Sequence, residues 1–244
     1  AGVFAGAFPV IDRLGVKPDV LYPPLNLAAQ DKDATLPGDG VDLPGEGEHL
    51  LLSINRFERK KNVGLAIRAL AALPDELKKK TRLVVAGGYD ERLPENVEHA
   101  EELATLAKEL GVEKQVQQMR SVDAATKAAL LRRADCVLYT PDREHLGIVP
   151  LEAMYARIPV VAVASGGPLE TIFEGETGYL RPPEPAAWAE VLQRLLADRE
   201  LRRKFGEAGR KRVAALFSLQ AFGEVLHGAV RKLAGGGEGG PKEE

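Results

Sequence analysis

From residue 49 onward, short β-branched apolar runs alternate with helix-length stretches, and the apolar runs are nearly unbroken. Leu83-Val84-Val85-Ala86 and Pro159-Val160-Val161-Ala162-Val163 contain no polar residue. A strand with one wet face alternates apolar and polar side chains. A strand apolar on both faces must be covered on both, as parallel strands are by crossover helices. The pattern predicts strands at 49–54, 82–86, 114–119, 135–139, 158–163 and 178–180. It predicts helices at 62–73, 95–110, 123–133, 148–157, 168–173, 185–197, 199–215 and 219–233. Such an order specifies an α/β chain with a doubly wound parallel sheet and C-terminal helices. Ligands of these sheets bind outside the carboxyl ends of the strands, so the residues after each strand are the candidates for function.

Residues 1–48 are rich in proline and glycine and read as an entry segment and linker, with a short strand at Val20-Leu21-Tyr22 and a loop over 28–48. Residues 49–217 form the ligand-binding domain, 218–234 a separate C-terminal helix, and the glycine-rich 235–244 a flexible tail. The net charge of −3 provides no general field for nucleic acid or acidic membranes. Aromatic residues make up 5%, too few for a nucleic-acid stacking platform, so no nucleic-acid partner is expected. The single cysteine, Cys136, lies inside an apolar strand and reads as a buried structural thiol. No apolar run approaches the roughly 18 residues that cross a bilayer. The N-terminal residues lack the basic lead of a signal peptide, so the chain is expected to be soluble and to face a reducing compartment.

The run Glu144-His145-Leu146-Gly147-Ile148-Val149-Pro150-Leu151-Glu152 follows a strand and opens a helix. The first turn of a helix offers free N–H groups and a positive dipole end, which suits a phosphate at Gly147, Ile148 and Val149. Pro150 is tolerated there because its missing N–H has no helical partner. Glu144 stands on the loop, and Glu152 stands about a turn into the helix among packed neighbours. A carboxylate in that position can accept two vicinal ribose hydroxyls. His145 is a candidate ligand-contacting donor.

After the strand at 49–54 comes a basic turn, Arg56-Phe57-Glu58-Arg59-Lys60-Lys61, with four cations in six residues. Arg56 presents a planar fork to phosphate oxygens and Lys61 a mobile point charge. After the strand at 82–86 come Gly87 and Gly88, where backbone can approach a ligand closely. Arg120 ends the strand at 114–119. Ser165-Gly166-Gly167 precedes the helix at 168–173. Asp31-Lys32-Asp33 has the spacing of a metal-binding carboxylate pair but sits in a polar loop, and the scattered histidines suggest no metal site. Neither a Gly-x-x-x-x-Gly-Lys-Ser/Thr loop nor a Gly-x-Gly-x-x-Gly fingerprint is present, which argues against a nucleotide hydrolase and a dehydrogenase.

Together these loops resemble the C-terminal, donor-binding domain of retaining GT-B glycosyltransferases of family 4. The family carries two glutamates separated by seven residues, matched by Glu144 and Glu152, and an arginine and lysine after the first strand, matched by Arg56 and Lys61. Within the family, the segments Leu52–Asn62, Ala86–Arg92, Cys136–Thr140, Gly147–Tyr155 and Ser165–Glu170 look most like the dolichol-linked α-1,3/1,6-mannosyltransferases of N-glycan assembly. The resemblance covers most of 18–233. It implies a Rossmann-like doubly wound sheet that is one half of a GT-B fold. The implied donor is GDP-mannose, with no metal and no other cofactor. The implied acceptor is a lipid-linked oligosaccharide on the cytosolic face of the endoplasmic reticulum membrane, held through an N-terminal domain that this chain does not display. Arg56 and Lys61 would stabilise the leaving diphosphate. Glu144 would contact the sugar and Glu152 the ribose, with Gly87, Gly88, Gly147, Ile148, Val149 and Arg120 completing the donor site. By the same resemblance, the donor half alone should bind nucleotide and turn over little. A UDP- or ADP-sugar donor domain and a non-catalytic module of the same fold are the alternatives.

Overall fold

The structure is a computed structural model that describes residue 13, residues 20–31, 44–45 and 47–235. Six parallel strands form one sheet: β1 (His49–Ile54), β2 (Thr81–Gly87), β3 (Val116–Arg120), β4 (Cys136–Tyr139), β5 (Val160–Val163) and β6 (Gly178–Arg181). Their spatial order is β3-β2-β1-β4-β5-β6. The chain therefore winds outward from β1 to β3, returns to the middle, and winds outward again on the other side, which is the doubly wound arrangement. Register is continuous where it matters most: His49 to Ile54 pair with Thr81 to Ala86, and Leu51 and Leu52 pair with Cys136 and Val137.

Ten helices accompany the described strands: α1 (Leu27–Gln30), α2 (Gly64–Ala71), α3 (Asp75–Lys79), α4 (Pro94–Glu109), α5 (Ala124–Arg133), α6 (Ile148–Tyr155), α7 (Pro168–Thr171), α8 (Pro185–Ala197), α9 (Arg199–Leu216) and α10 (Leu219–Gly235). Leu51, Leu83, Val85, Leu138, Val161 and Val163 share one core with Ile67 and Leu70 of α2 and Trp188 and Leu192 of α8. The alternate positions Leu50, Leu52, Val84, Val137, Val160 and Ala162 are buried too. Both faces of the sheet are thus covered, as the unbroken apolar strands require. Local signals set several helix starts: the carboxylate of Asp123 accepts the Thr126 amide at 2.7 Å, and Pro94, Pro168 and Pro185 each occupy a first turn.

All six strands predicted from residue 49 onward form, as does every helix predicted there. Val20-Leu21-Tyr22 is not a strand. The prolines at 23 and 24 remove the amides a ladder would use, and Leu25 instead donates to the Phe217 carbonyl at 2.7 Å. The loop expected over 28–48 contains the end of α1, while 32–43 lie outside the described residues. The predicted tail, apart from Gly235, also lies outside them.

The chain divides into two compact units, one of Leu27–Val213 and the other of Ala1–Asn26 with Ala214–Glu244. In the second unit, the Tyr22 ring lies 5.0 Å from that of Phe217. Leu219, Val225, Leu226, Val230 and Leu233 of α10 are exposed. The sequence shows no unbroken apolar run, yet the helical stretch 199–234 contains an 18-residue window of mean hydropathy 1.4, long and apolar enough to cross a membrane by length and composition. Ser218, Gln220, Glu224 and His227 interrupt the apolar residues of this stretch, which is why no unbroken run is seen.

Candidate functional site

The strand order reverses between β1 and β4, and the loops leaving these two neighbours meet there. Thr140 Oγ1, just past β4, donates to the Lys61 carbonyl at 2.7 Å and ties the two loops together in the interior. Lys61 closes a turn of 3-10 helix, Arg59–Lys61, that ends at Asn62 in the left-handed region at φ 49°. That turn directs the Lys61 ammonium across the switch point to Glu144 Oε1, at 2.8 Å. The Lys61 side chain is 11% exposed and that of Glu144 is 35% exposed. The hydrogen bond from Lys61 holds the Glu144 carboxyl below its ordinary pKa, against the opposing effect of burial. Beneath Glu144, burial and the nearby carboxylate push the Tyr139 phenol upward.

Gly147 connects this loop to α6. It adopts φ 76°, and a Cβ there would lie 2.8 Å from the Tyr139 hydroxyl, so both backbone angle and space demand glycine. No side chain caps the N-terminus of α6, and Ile148 is exposed there. Uncapped amides at a helix start form an anion-binding end. The adjoining Gly166-Gly167 loop holds the Glu144 segment by its backbone, with the Gly167 amide donating to the Glu144 carbonyl at 2.7 Å.

Glu152, 4% exposed, is buried on α6. Its Oε1 accepts from Lys127 Nζ at 2.7 Å and from Gln30 Nε2 at 3.4 Å. Its Oε2 is buried without a hydrogen-bond partner among the described residues. An orphaned carboxylate oxygen in the interior requires a donor, and a ligand hydroxyl is one such donor.

The remaining predicted residues fall nearby in different ways. Arg56 follows β1 and pairs with Glu58 Oε1 at 3.0 Å. Gly88 underlies the Arg56 stem, where an added Cβ would lie 3.3 Å from Arg56 Cγ. Gly87 packs directly on the Asn55 backbone. A Cβ there would fall 1.9 Å from the Asn55 carbonyl oxygen, so the approach of the protein's own backbone already requires glycine. Arg120 stacks over the Tyr89 ring at 4.5 Å and donates to its hydroxyl at 3.3 Å, two strands away from the switch point. Asp31 belongs to no cluster of three or more potential metal ligands among the described residues. It instead accepts from Tyr155 at 2.8 Å and pairs with Arg210 at 3.0 Å, contacts that lower its pKa. Cys136 is fully buried, and desolvation pushes its thiol pKa far upward.

Sequence reasoning missed Lys127, Gln30, Tyr139 and Thr140. Lys127 left a trace as a lone cation in the small-residue run Ala124-Ala125-Thr126-Lys127-Ala128-Ala129. Gln30 left none, since its approach to Glu152 spans 122 positions in sequence.

A six-stranded parallel sheet in this order is the Rossmann-like α/β fold found in GT-B glycosyltransferases. The sequence profile of the family "Glycosyl transferases group 1" matches residues 41–212, and the chain belongs to this family. It is 44% identical over 238 residues to the mouse (Mus musculus) protein "Alpha-1,3/1,6-mannosyltransferase ALG2", spanning 96% of this chain and 56% of that one. Among solved structures, sucrose-phosphate synthase from Thermosynechococcus elongatus superposes with a TM-score of 0.77 at 28% identity, covering 95% of this chain and 56% of that chain. The C-terminal domain of a group 1 glycosyl transferase from Francisella tularensis superposes with a TM-score of 0.62 at 25% identity, covering 82% of this chain and 97% of that domain. The chain thus spans a little over half of its full-length mouse relative.

Proposed function

We propose that this chain is the GDP-mannose-binding half of a retaining mannosyltransferase that extends a dolichol-diphosphate-linked oligosaccharide at the cytosolic face of the endoplasmic reticulum. The observation that carries this reading is the pair of carboxylates in one helix-opening segment. Glu144 is bound to Lys61 at the switch point, and Glu152 is buried eight residues later with one oxygen unpartnered. The similarity to the mouse α-1,3/1,6-mannosyltransferase supports the sugar. In this reading the Glu152 Oε2 accepts ribose hydroxyls. The start of α6, with Lys61 and Arg56, faces the diphosphate and stabilises the negative charge that grows as the glycosidic bond to the leaving group breaks. Glu144 contacts the transferred sugar and is kept ionised by Lys61. These cations and amides supply the positive charge without a metal, and no protein nucleophile is assigned. The lipid-linked acceptor binds through a second, N-terminal domain of the kind expected for the fold.

The test is calorimetric titration in EDTA with GDP, GDP-mannose and UDP, alongside Lys61→Ala and Glu152→Gln. Guanine-selective binding that both substitutions weaken supports the reading. Equal binding of UDP would redirect the donor assignment, and unchanged affinity in both variants would remove these residues from the site.

A further inference from the structure

Each cation of the basic turn after β1 is paired with a carboxylate. Arg59 is turned away from the switch point, bonded to Glu98 at 2.7 Å and Glu102 at 2.6 Å on α4, while Lys61 is bonded to Glu144. The other two cations converge on Glu58. Arg56 Nη1 lies 3.0 Å from its Oε1, and Lys60 Nζ lies 3.0 Å from its Oε2. The three members differ in exposure: the Glu58 side chain is 12% exposed, against 63% for Arg56 and 66% for Lys60. Glu58 Oε2 is buried and has no hydrogen bond, so it meets Lys60 only as a poorly aligned ion pair. The carboxylate is fixed inside the turn, while two long solvent-facing side chains fold back onto it. The turn itself is held by its backbone, through the Lys61 amide to the Glu58 carbonyl at 2.9 Å and the Phe57 amide to the Gly88 carbonyl at 3.1 Å.

From this arrangement we infer that Glu58 is an affinity-setting counter-ion, an internal anion that a phosphate-bearing ligand must displace from Arg56 and Lys60. The inference rests on the proposed role of this turn in holding the diphosphate. A carboxylate and a phosphate oxygen compete for the same guanidinium fork, because both accept its N–H groups. Ligand binding exchanges one ion pair for another, so its net gain is smaller than a free arginine would give. The exposed ends of Arg56 and Lys60 can turn outward without moving backbone. Glu58 cannot follow them, because it is buried at the start of the 3-10 turn. A weakened diphosphate grip serves turnover, since the nucleoside diphosphate left after transfer must depart.

The experiment compares the whole chain with Glu58→Gln and Glu58→Asp by calorimetry in EDTA, using GDP, inorganic pyrophosphate and guanosine. If Glu58 competes with phosphate, Glu58→Gln binds GDP and pyrophosphate about three- to tenfold more tightly, the range expected for releasing exposed ion pairs. Guanosine affinity stays unchanged, and the gain shrinks as salt is added. Glu58→Asp, which keeps the charge, shows no comparable gain. Wild-type binding of GDP with equal or weaker binding by Glu58→Gln overturns the counter-ion role and leaves the diphosphate site standing. A structural residue would give that result, and Glu58→Asp would then weaken binding as well. No binding by wild type or Glu58→Gln overturns both this inference and the diphosphate role of the turn.

Discussion

The two ends of the Glu144–Glu152 segment use the same contact in opposite settings. At the loop end, Glu144 meets Lys61 at 2.8 Å, with a carboxylate side chain 35% exposed. At the helix end, Glu152 meets Lys127 at 2.7 Å, with a carboxylate side chain 6% exposed. Pairs exposed on both sides contribute little to folding. Buried charges depend on their partners, and an unpaired charge there is costly. The loop end thus sets a half-exposed carboxylate on a buried ammonium, and the helix end a buried carboxylate on a more exposed ammonium, with one carboxylate oxygen unpartnered among the described residues.

The hinge between the two ends gives the largest expected effect. Gly147→Ala should lower unfolding stability by about 2–3 kcal/mol, combining an unfavourable backbone angle with overlap at Tyr139. Adding Tyr139→Phe should restore part of that loss in denaturant titrations. Equal losses with and without the hydroxyl would show that the hydroxyl is not the obstacle.

Next comes the direct contrast between the carboxylates. Glu144→Ala should cost about 2 kcal/mol more than Glu152→Ala, because it strands the Lys61 ammonium, 11% exposed, while the Lys127 ammonium, 29% exposed, can turn toward water. Thermal unfolding of the two variants measures the difference, and equal costs would erase the distinction drawn here. For ligand binding the two ends should converge. Lys61→Ala and Glu152→Gln are each expected to weaken GDP binding about tenfold, the loss of one charge-assisted contact.

The smallest effect is in proton binding. The folded pKa of Glu144 is depressed by Lys61, so the stabilisation is present above the ordinary carboxylate pKa of 4.5 and disappears as pH falls through the lower folded value. Carboxyl NMR titration should find its midpoint below 4.5 in the wild type and closer to 4.5 in Lys61→Ala. A midpoint unmoved by that substitution would break the assignment of the shift to Lys61.

The layout of the sheet was legible because continuous apolar strands have a single physical solution, burial on both faces. The helix-opening segment after β4 was legible for a related reason: a loop at a strand's carboxyl end is one of the few places where charged residues and free amides face outward together. Arg56, Lys61, Glu144 and Glu152 were accordingly singled out from local pattern, and the structure brings Lys61 to Glu144. Val20-Leu21-Tyr22 was misread because an apolar triplet carries no information about whether a neighbouring strand exists. The Asn55 backbone against Gly87 was not legible, because close approach looks the same in sequence whatever the visitor is.

By itself the sequence determined the order of strands and helices, the positions of their ends within a few residues, and the carriers of charge on each loop. These follow from local forces, namely side-chain periodicity, capping and the conformational limits of proline and glycine. Only the tertiary structure decided the pairings. It joined Lys61 to Glu144, Lys127 and Gln30 to Glu152, and Arg56 and Lys60 to Glu58, while turning Arg59 away to α4. Coulombic and hydrogen-bonding partners are chosen by distance in space. For most of these residues, that distance is set by how the sheet brings together loops far apart in the chain.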